Sequence, residues 1–192
     1  MPKIDAATVA EHRAQREAAL LAAATELLRE HPGIAPSLGD VGVRAGLSRS
    51  AVYHYFDSRE HLVEAVMEET FPRWEARFAR AFDNAGSPLE VIHAYVSENV
   101  TMVSEGEHAF ALTLMRVAPG ESLGTRSAQF HQRLAEPLLD ALTAAGDPHP
   151  VITAELINAM VRSATHLVEA GEPHTTVIDA IMSIVKGRFA AR

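Results

Sequence analysis

Several side chains that donate hydrogen bonds lie close together in the chain, at spacings that place them on or near the exposed face of a helix. They are Arg49, Ser50, Tyr53, His54, Tyr55 and Arg59. Arg49 and Ser50 would occupy the first helical turn, from which side chains reach base edges in a DNA major groove. Tyr53 and Tyr55 suit phosphate and sugar contacts, and Arg59 opens the next predicted helix, where phosphate is favoured. The pattern predicts a DNA-reading surface, although a plain surface helix with packed tyrosines would carry the same residues.

The elements that must present these side chains are two short helices joined by a tight turn. Ser37 can cap the first helix, and Asp40 three residues later completes a capping box. Gly46 ends that helix at a position that favours positive φ, and Ser48 can cap the second helix. This arrangement is a helix-turn-helix. The predicted DNA-binding set is completed by Ser37, Arg44 and Ser48.

Three segments resemble the DNA-binding signature of the TetR family of one-component transcriptional regulators: the turn Ala45-Gly46-Leu47-Ser48, the run Val52-Tyr53-His54-Tyr55-Phe56 and the pair Arg59-Glu60. The resemblance implies a homodimeric repressor that reads a near-palindromic double-stranded DNA operator and is released by a small-molecule effector. Gly39 and Gly42 depart from a good helix, because each costs about 1 kcal/mol relative to alanine. Gly39 also lacks a side chain that some relatives direct at DNA.

Apolar residues recur at helical spacing along almost the whole chain, without an alternating strand pattern. Pro72 predicts a kink near Thr70 in the fourth helix. The predicted helices are 8–31, 37–45, 48–55, 58–85, 88–104, 107–117, 121–145, 151–170 and 175–190. The predicted fold class is all-α. It has an N-terminal three-helix helix-turn-helix domain at residues 1–57 and a C-terminal helical ligand-binding and dimerisation bundle at residues 58–192.

Polar groups on apolar helix faces mark a candidate effector site in the C-terminal bundle. Asn99 shares its face with Ile92, Tyr95 and Val96, so its amide points into an apolar interior, and His131 beside Phe130 is in a similar position. Each is either a satisfied core residue or a group that orients a ligand. Aromatic and methionine side chains at helical spacing would line the same cavity or form plain core. The predicted ligand-binding residues are Trp74, Phe78, Tyr95, Asn99, Phe110, Met115, His131 and Met160.

The last two predicted helices are apolar over more than one face. The residues concerned are Leu156, Ile157, Met160, Val161, Ala164, Leu167, Val168, Val177, Ile178, Ile181, Ile184, Val185 and Phe189. A helix that is apolar on two faces is buried on both sides. We therefore expect a two-fold partner and a four-helix dimer core, which the family resemblance also implies. The alternative is a monomer whose terminal helices close its own core.

Composition narrows the function classes. The chain has 192 residues, a net charge of −8 and no cysteine, so neither a disulfide framework nor a thiolate metal site is expected. Residues 1–60 carry seven basic and eight acidic side chains, while residues 44–59 carry three arginines and one aspartate. Net positive charge is thus confined to residues 44–59, the predicted DNA-binding segment. This argues against a protein that coats the nucleoid, because such a protein needs a broad basic face. No membrane span, cofactor or signal peptide is expected, and the predicted location is cytoplasmic.

The alternative to a transcriptional regulator is an enzyme or a metal-binding protein. The stretch Gly120-Glu-Ser-Leu-Gly124 matches the G-x-S-x-G elbow of hydrolases, but that elbow needs a preceding strand that the pattern lacks. Glu90 with His93, and Glu105 with His108, imitate carboxylate–histidine metal pairs without the further carboxylates that such bundles use. We therefore predict no enzyme activity. A helical enzyme or metal-binding protein with an incidental helix-turn-helix stays as the rival, and a metal effector stays open.

Overall fold

The computed structural model describes residues 6–118 and 121–190, and within them the chain forms nine helices and no strand. The helices are α1 Ala6–Glu30, α2 Leu38–Arg44, α3 Arg49–Val52, α4 Arg59–Asp83, α5 Pro88–Ser104, α6 Glu107–Val117, α7 Glu121–Ala144, α8 Pro150–Glu169 and α9 His174–Ala190. This confirms the predicted all-α class. Within the described ranges no helix is both long and apolar enough to cross a membrane.

One difference from the predicted helices has a physical reason. Helix α3 ends at Val52 rather than at residue 55, because the amides of His54 and Tyr55 bond three residues back, in tight turns. Helix α4 continues through Pro72 as one element, as predicted, and the kink near Thr70 stays a prediction. Proline there removes one backbone hydrogen bond, and that loss does not end the helix. Gly120 of the G-x-S-x-G match lies outside the described residues, and the residues from Glu121 onward begin α7.

The described residues pack into two compact units. The first comprises residues 6–70 with 110–118, and the second comprises residues 71–109 with 121–190. Helices α4 and α6 therefore each have residues in both units. The predicted boundary between the DNA-binding and ligand-binding domains, at residues 57 and 58, stays a prediction. The two units are defined by how the chain packs, and packing does not tell which residues bind DNA or ligand.

Each unit has its own apolar core. In the first, the fully buried side chains come from α1 to α4, from the connection before α4 and from α6; they include Leu20, Leu28, Val41, Val52, Phe56, Leu62 and Leu114. In the second, α5 lies among α7, α8 and α9. The buried residues there include Phe78, Ile92, Val96, Val100, Leu138, Leu142 and Ile157. These cores fix the helices that carry the candidate sites.

Candidate functional site

The helix-turn-helix is held by capping groups at each of its joints. The Ser37 hydroxyl oxygen accepts a hydrogen bond from the Asp40 amide at 3.1 Å, and Ser48 accepts one from the Ala51 amide at 3.2 Å. Gly46 has φ +69°, and the amide of Leu47 donates to the Gly42 carbonyl at 2.8 Å, which closes a Schellman motif. The predicted caps at Ser37 and Ser48 and the predicted positive φ at Gly46 are confirmed.

Gly42 has a role that the sequence pattern did not reveal. A Cβ atom at this position would lie 2.9 Å from Val52 Cγ2 and 3.0 Å from the Leu47 carbonyl oxygen. The absence of a side chain therefore lets α2 and α3 cross closely. Gly39 is different, since its nearest neighbour would be the Ser37 Oγ at 3.6 Å. The available signal was the position of Gly42 within the motif, on the side of α2 that faces the turn.

Four of the predicted DNA-binding residues converge at one shallow cleft. Ser37, Arg49, Tyr53 and Arg59 line an open depression of about 280 Å³, together with Leu38, Gly39, Asp57 and Ser58. The Arg49 Nη2 donates to the Tyr53 hydroxyl at 3.3 Å, and its guanidinium lies 5.9 Å from the Tyr53 ring centroid. The cleft thus presents two guanidinium groups, a phenol and two serine hydroxyls, with the Asp57 carboxylate among them.

Four of the other five predicted DNA-binding residues lie at the start of α3 or just beyond its end. Ser48 and Ser50 lie at the start of α3 with their hydroxyl oxygens 3.0 Å apart, and both residues are exposed. His54 is exposed just beyond α3, whereas Tyr55 is half-buried. These positions stay predictions as DNA contacts.

Arg44 is engaged inside the first unit. Its guanidinium forms a bidentate pair with Glu30, at 2.7 Å from Nη2 to Oε2 and 2.9 Å from Nη1 to Oε1, and Nη1 also lies 3.2 Å from Glu26 Oε2. The hydrogen bonds from Glu30 raise the pKa of Arg44, and those from Arg44 lower the pKa of Glu30. The arrangement ties α2 to α1 and leaves Arg44 fewer free donors than Arg49.

An aromatic cluster lies in the second unit, where α4, α5 and α7 meet. The ring centroids of Phe71 and Trp74 lie 5.4 Å apart, and Phe130 lies 5.7 Å from Phe71 and 6.0 Å from Trp74. Phe78 lies 6.1 Å from Phe130 and 6.5 Å from Tyr95. We call these five residues the aromatic cluster. All five side chains are buried, and edge-to-face contacts of this kind stabilise aromatic groups beyond their burial.

Polar groups are bonded to the rim of the aromatic cluster. The Trp74 indole Nε1 donates to Glu107 Oε2 at 2.8 Å, and the Tyr95 hydroxyl donates to Asn158 Oδ1 at 2.6 Å. Burial raises the pKa of Tyr95 to about 12, so the phenol stays protonated at neutral pH. His131 is exposed, and its ring lies 5.7 Å from Phe130.

The remaining predicted ligand residues have other contacts. The Asn99 Nδ2 donates to the Tyr95 carbonyl of its own helix at 2.8 Å. Phe110, in the first unit, is buried beneath the Arg29 guanidinium at 4.2 Å, and Met115 in the same unit is 56% exposed. Met160 lines a groove along α8 and α9. Of the predicted ligand residues, Trp74, Phe78 and Tyr95 lie together in the aromatic cluster, and their role in ligand binding stays a prediction. Sequence reasoning did not bring Phe71, Phe130, Glu107 and Asn158 to these residues, because only tertiary packing brings them together.

The groove along α8 and α9 has a volume of about 760 Å³, and its walls are largely apolar. Leu156 and Ile184 line it and are 60% and 65% exposed. Ile157 and Ile181, in contrast, are buried within the chain's own core. Helices α8 and α9 therefore have apolar residues on two faces, as expected, one buried in the chain's own core and one exposed. The exposed face contains fewer apolar residues than the sequence pattern indicated.

Within the described part of the chain, no three histidine, aspartate or glutamate side chains converge as metal ligands. Of the predicted pairs, the His93 ring lies 3.3 Å from the Ser97 hydroxyl on the same helix. The question of a metal effector gains no geometric support from these residues.

Comparisons with known proteins agree with the motif. The family model described as bacterial regulatory proteins, tetR family, matches residues 20–66. The HTH-type transcriptional repressor KstR2 of Mycolicibacterium smegmatis is 31% identical over 77 residues, which are 40% of this chain and 38% of that repressor. The aligned part thus spans well under half of the relative's length.

Solved structures share the fold over most of both chains. A transcriptional regulator of the TetR/AcrR family from Thermobifida fusca YX-ER1 has a TM-score of 0.68 and 23% identity, over 88% of this chain and 96% of that one. AibR, solved in complex with isovaleryl coenzyme A and operator DNA, has a TM-score of 0.68 and 17% identity, over 88% and 97%. The capped helix-turn-helix lies inside the matched residues 20–66, so this segment is similar to the DNA-binding part of the tetR family of bacterial regulatory proteins.

Proposed function

We propose that this protein is a ligand-responsive transcriptional regulator, and specifically a repressor that a small-molecule effector releases from its operator. The observation that carries the proposal is the cleft where Ser37, Arg49, Tyr53 and Arg59 are exposed together on a capped helix-turn-helix. Such a cleft offers donors both to bases and to phosphates. We infer no enzymatic activity, and we place the protein in the cytoplasm, where operator DNA is accessible.

The proposed DNA-binding form is a homodimer. Exposed apolar side chains along the α8–α9 groove, Leu156 and Ile184 among them, offer a surface that a second copy of the chain would cover. Two recognition helices related by a two-fold axis would read the two halves of a near-palindromic operator. The C-terminal helices would therefore set the distance between the two reading helices.

The proposed effector is a small and largely apolar molecule that packs against the aromatic cluster. Trp74, Phe78 and Tyr95 supply flat apolar surface, and the rim bonds at Glu107 and Asn158 supply polar groups that would fix its orientation. Acyl coenzyme A thioesters are a sensible first panel, since AibR shares the fold and was solved with isovaleryl coenzyme A.

The route from the effector to DNA is proposed to use the two helices that have residues in both units. Helix α4 carries Arg59 in the first unit and Trp74 in the second. Helix α6 begins with Glu107, which accepts from Trp74, and continues to Phe110, which packs on Arg29 of α1. A ligand that moves Trp74 would thereby act on both helices. It must bind the DNA-free conformation more tightly, by about 1.4 kcal/mol for each tenfold loss of operator affinity.

The test begins with selection of DNA from a random pool by the purified full-length protein. We expect enrichment of one inverted repeat, bound with an affinity that falls steeply with salt. Compounds of the thioester panel are then added to the complex, and at least one chemical class should release the DNA. Enrichment of no sequence, or a single half-site bound by a monomer, would contradict the proposal.

A further inference from the structure

The N-terminal part of α1 extends beyond the packed core of the first unit. Every described side chain from Val9 to Ala19 is exposed, and the first buried residue of the helix is Leu20. From residue 9 to residue 19 a helix covers about 15 Å at 1.5 Å per residue. This segment, which we call the arm, buries almost no apolar surface of its own, so core packing does not explain it.

One face of the arm is cationic. The buried stripe of α1 includes Leu20, and stepping back from it by three and four residues reaches Arg16, then Arg13 and His12. The face that packs the core thus changes from apolar to basic where the core ends. At about 100° per residue, Glu11 lies roughly 150° and Glu17 roughly 90° from the centre of this face. Glu11 is therefore separated from both guanidinium groups, whereas Glu17, four residues after Arg13, lies at the edge of the cationic face.

This cationic face borders the recognition helix. Val9, His12, Arg13 and Arg16 line a cleft of about 460 Å³ with Tyr55, the aromatic residue that follows α3. The Arg13 guanidinium lies 5.4 Å from the Tyr55 ring centroid, which holds it over that ring. In the part of the chain that the structure describes, no carboxylate pairs with Arg13 or Arg16, in contrast to Arg44.

We infer that the arm is a second DNA contact, in which Arg13 and Arg16, with His12 beside them, bind backbone phosphates that flank the major groove read by α3. This inference rests on the proposed operator binding, and it adds a DNA contact by the arm, outside the helix-turn-helix. Continuity with Tyr55 favours DNA over an acidic protein partner, because the same polyanion that meets α3 would meet this face. Phosphate contacts of this kind add affinity and salt dependence without base preference.

The experiment compares two duplexes built from the selected operator. One ends at the outermost base pairs of the consensus, and the other continues for about one helical turn on each side. Binding is measured as a function of salt for the wild type, for Arg13→Gln/Arg16→Gln, and for Arg80→Gln as a control that removes an exposed cation of α4 in the second unit. Thermal unfolding checks that each variant folds. We expect that they do, because the substituted side chains are exposed.

On the long duplex, the slope of log K against log salt should be shallower by about 0.9 for each phosphate that the arm variant no longer binds, and its affinity at low salt should fall roughly tenfold or more. Arg80→Gln should match the wild type, and Arg13→Lys/Arg16→Lys should keep most of the slope, since phosphate also accepts an ammonium ion. On the short duplex the arm variant should equal the wild type.

An unchanged slope on the long duplex would overturn the inference while leaving operator binding intact. An equal decrease on both duplexes would also overturn it, because the arm would then bind the operator itself rather than its flanks. If the wild type enriched no sequence, the proposed function would fail and the arm contact with it.

Discussion

Two arginines of the helix-turn-helix look equivalent in the sequence but differ in what they contact. Arg44 forms charged hydrogen bonds with Glu26 and Glu30, so its donors are largely used inside the protein. Arg49 is exposed and donates to the neutral Tyr53 hydroxyl four residues later. A guanine that offers O6 and N7 would compete better for Arg49 than for Arg44, since a phenol is a weaker partner than two carboxylates.

Replacing Arg49 should therefore test base reading. Arg49→Ala should weaken operator binding roughly 10- to 100-fold and relax the base preference at one position of each half-site, with little change in the thermal midpoint. Arg44→Ala should mainly lower the midpoint, because it unties α2 from α1. Binding to a library of operator variants, together with thermal unfolding, measures both effects. A uniform decrease over all operators in Arg49→Ala would identify a phosphate contact instead.

At the scale of the elements, the sequence was sufficient wherever a helix is bounded by strong local signals. Helix α5 starts at Pro88 after Ser87, and its predicted range agrees with the structure, as does that of α6. Local signals were insufficient where the role of a residue depends on a contact between two helices. Gly42 registered only as a weak helix former, because its proximity to Val52 depends on how α2 and α3 cross. The end of α3 also depends on backbone hydrogen bonding that no local pattern marks.

The two glycines of α2 should respond in opposite ways to alanine. Gly42→Ala should lower the free energy of unfolding by about 1–3 kcal/mol, since its methyl group would press on a buried valine and a backbone oxygen. Gly39→Ala should be neutral or stabilising by up to about 1 kcal/mol, because its Cβ would meet only ordinary contacts. Chemical denaturation compares them. Equal midpoints for both variants would contradict the assigned close crossing.

The connection between α7 and α8 is tied to α9 by an ion pair that should carry pH dependence. Asp147 accepts from Arg188 Nε at 2.6 Å and Nη2 at 2.7 Å, and also from the His149 amide at 2.7 Å, while its side chain is inaccessible to solvent. The hydrogen bonds from Arg188 hold the pKa of Asp147 well below its ordinary value of 3.8. A depressed folded pKa means that the stabilisation is present above the unfolded pKa and decreases as the pH falls through the folded value.

Asp147→Asn should accordingly lower the free energy of unfolding by about 1–3 kcal/mol at neutral pH. The difference from the wild type should hold down to about pH 5 and shrink below pH 4, as the Asp147 carboxylate gains a proton in the unfolded chain while the folded chain still keeps it ionised. Asp179→Asn, at an exposed position on α9, serves as the control and should have a small effect at every pH. A difference that does not depend on pH would show that the Asp147 charge contributes nothing.

At the scale of the whole molecule, the sequence pattern could not separate the two apolar sides of α8 and α9. Ile181 is 6% exposed and Ile184 is 65% exposed, although both are isoleucines of one helix. The pattern shows that two sides exist, and only the packing shows which side the chain covers itself. The same limit applied to the aromatic cluster, where Phe130 of α7 packs against rings of α4 that are far from it in sequence.

A pair of charge substitutions should separate dimerisation from folding. Ile184→Glu should give a folded chain of half the assembled mass, since the carboxylate would be solvated in the monomer and buried in the proposed dimer. Ile181→Glu should reduce helicity, because it places a charge inside the chain's own core. Light scattering gives the mass and circular dichroism gives the fold. A folded dimer in Ile184→Glu would place the interface away from the α8–α9 groove.

The effector should be detectable through Trp74, which is the sole tryptophan of the chain. Its ring packs on Phe71 and Phe130, and its indole donates to Glu107, so a molecule that enters the aromatic cluster must change the surroundings of the indole. We expect an inducer to shift Trp74 emission at the concentration that releases DNA. Phe78→Leu should then weaken the inducer response roughly tenfold while sparing operator binding, because it removes ring surface from the cluster and keeps an apolar side chain in the core. Val151→Ala, at an exposed position on α8 outside the predicted ligand-binding set, should respond as the wild type does. An inducer that leaves both the emission and the Phe78→Leu response unchanged would show that it binds elsewhere.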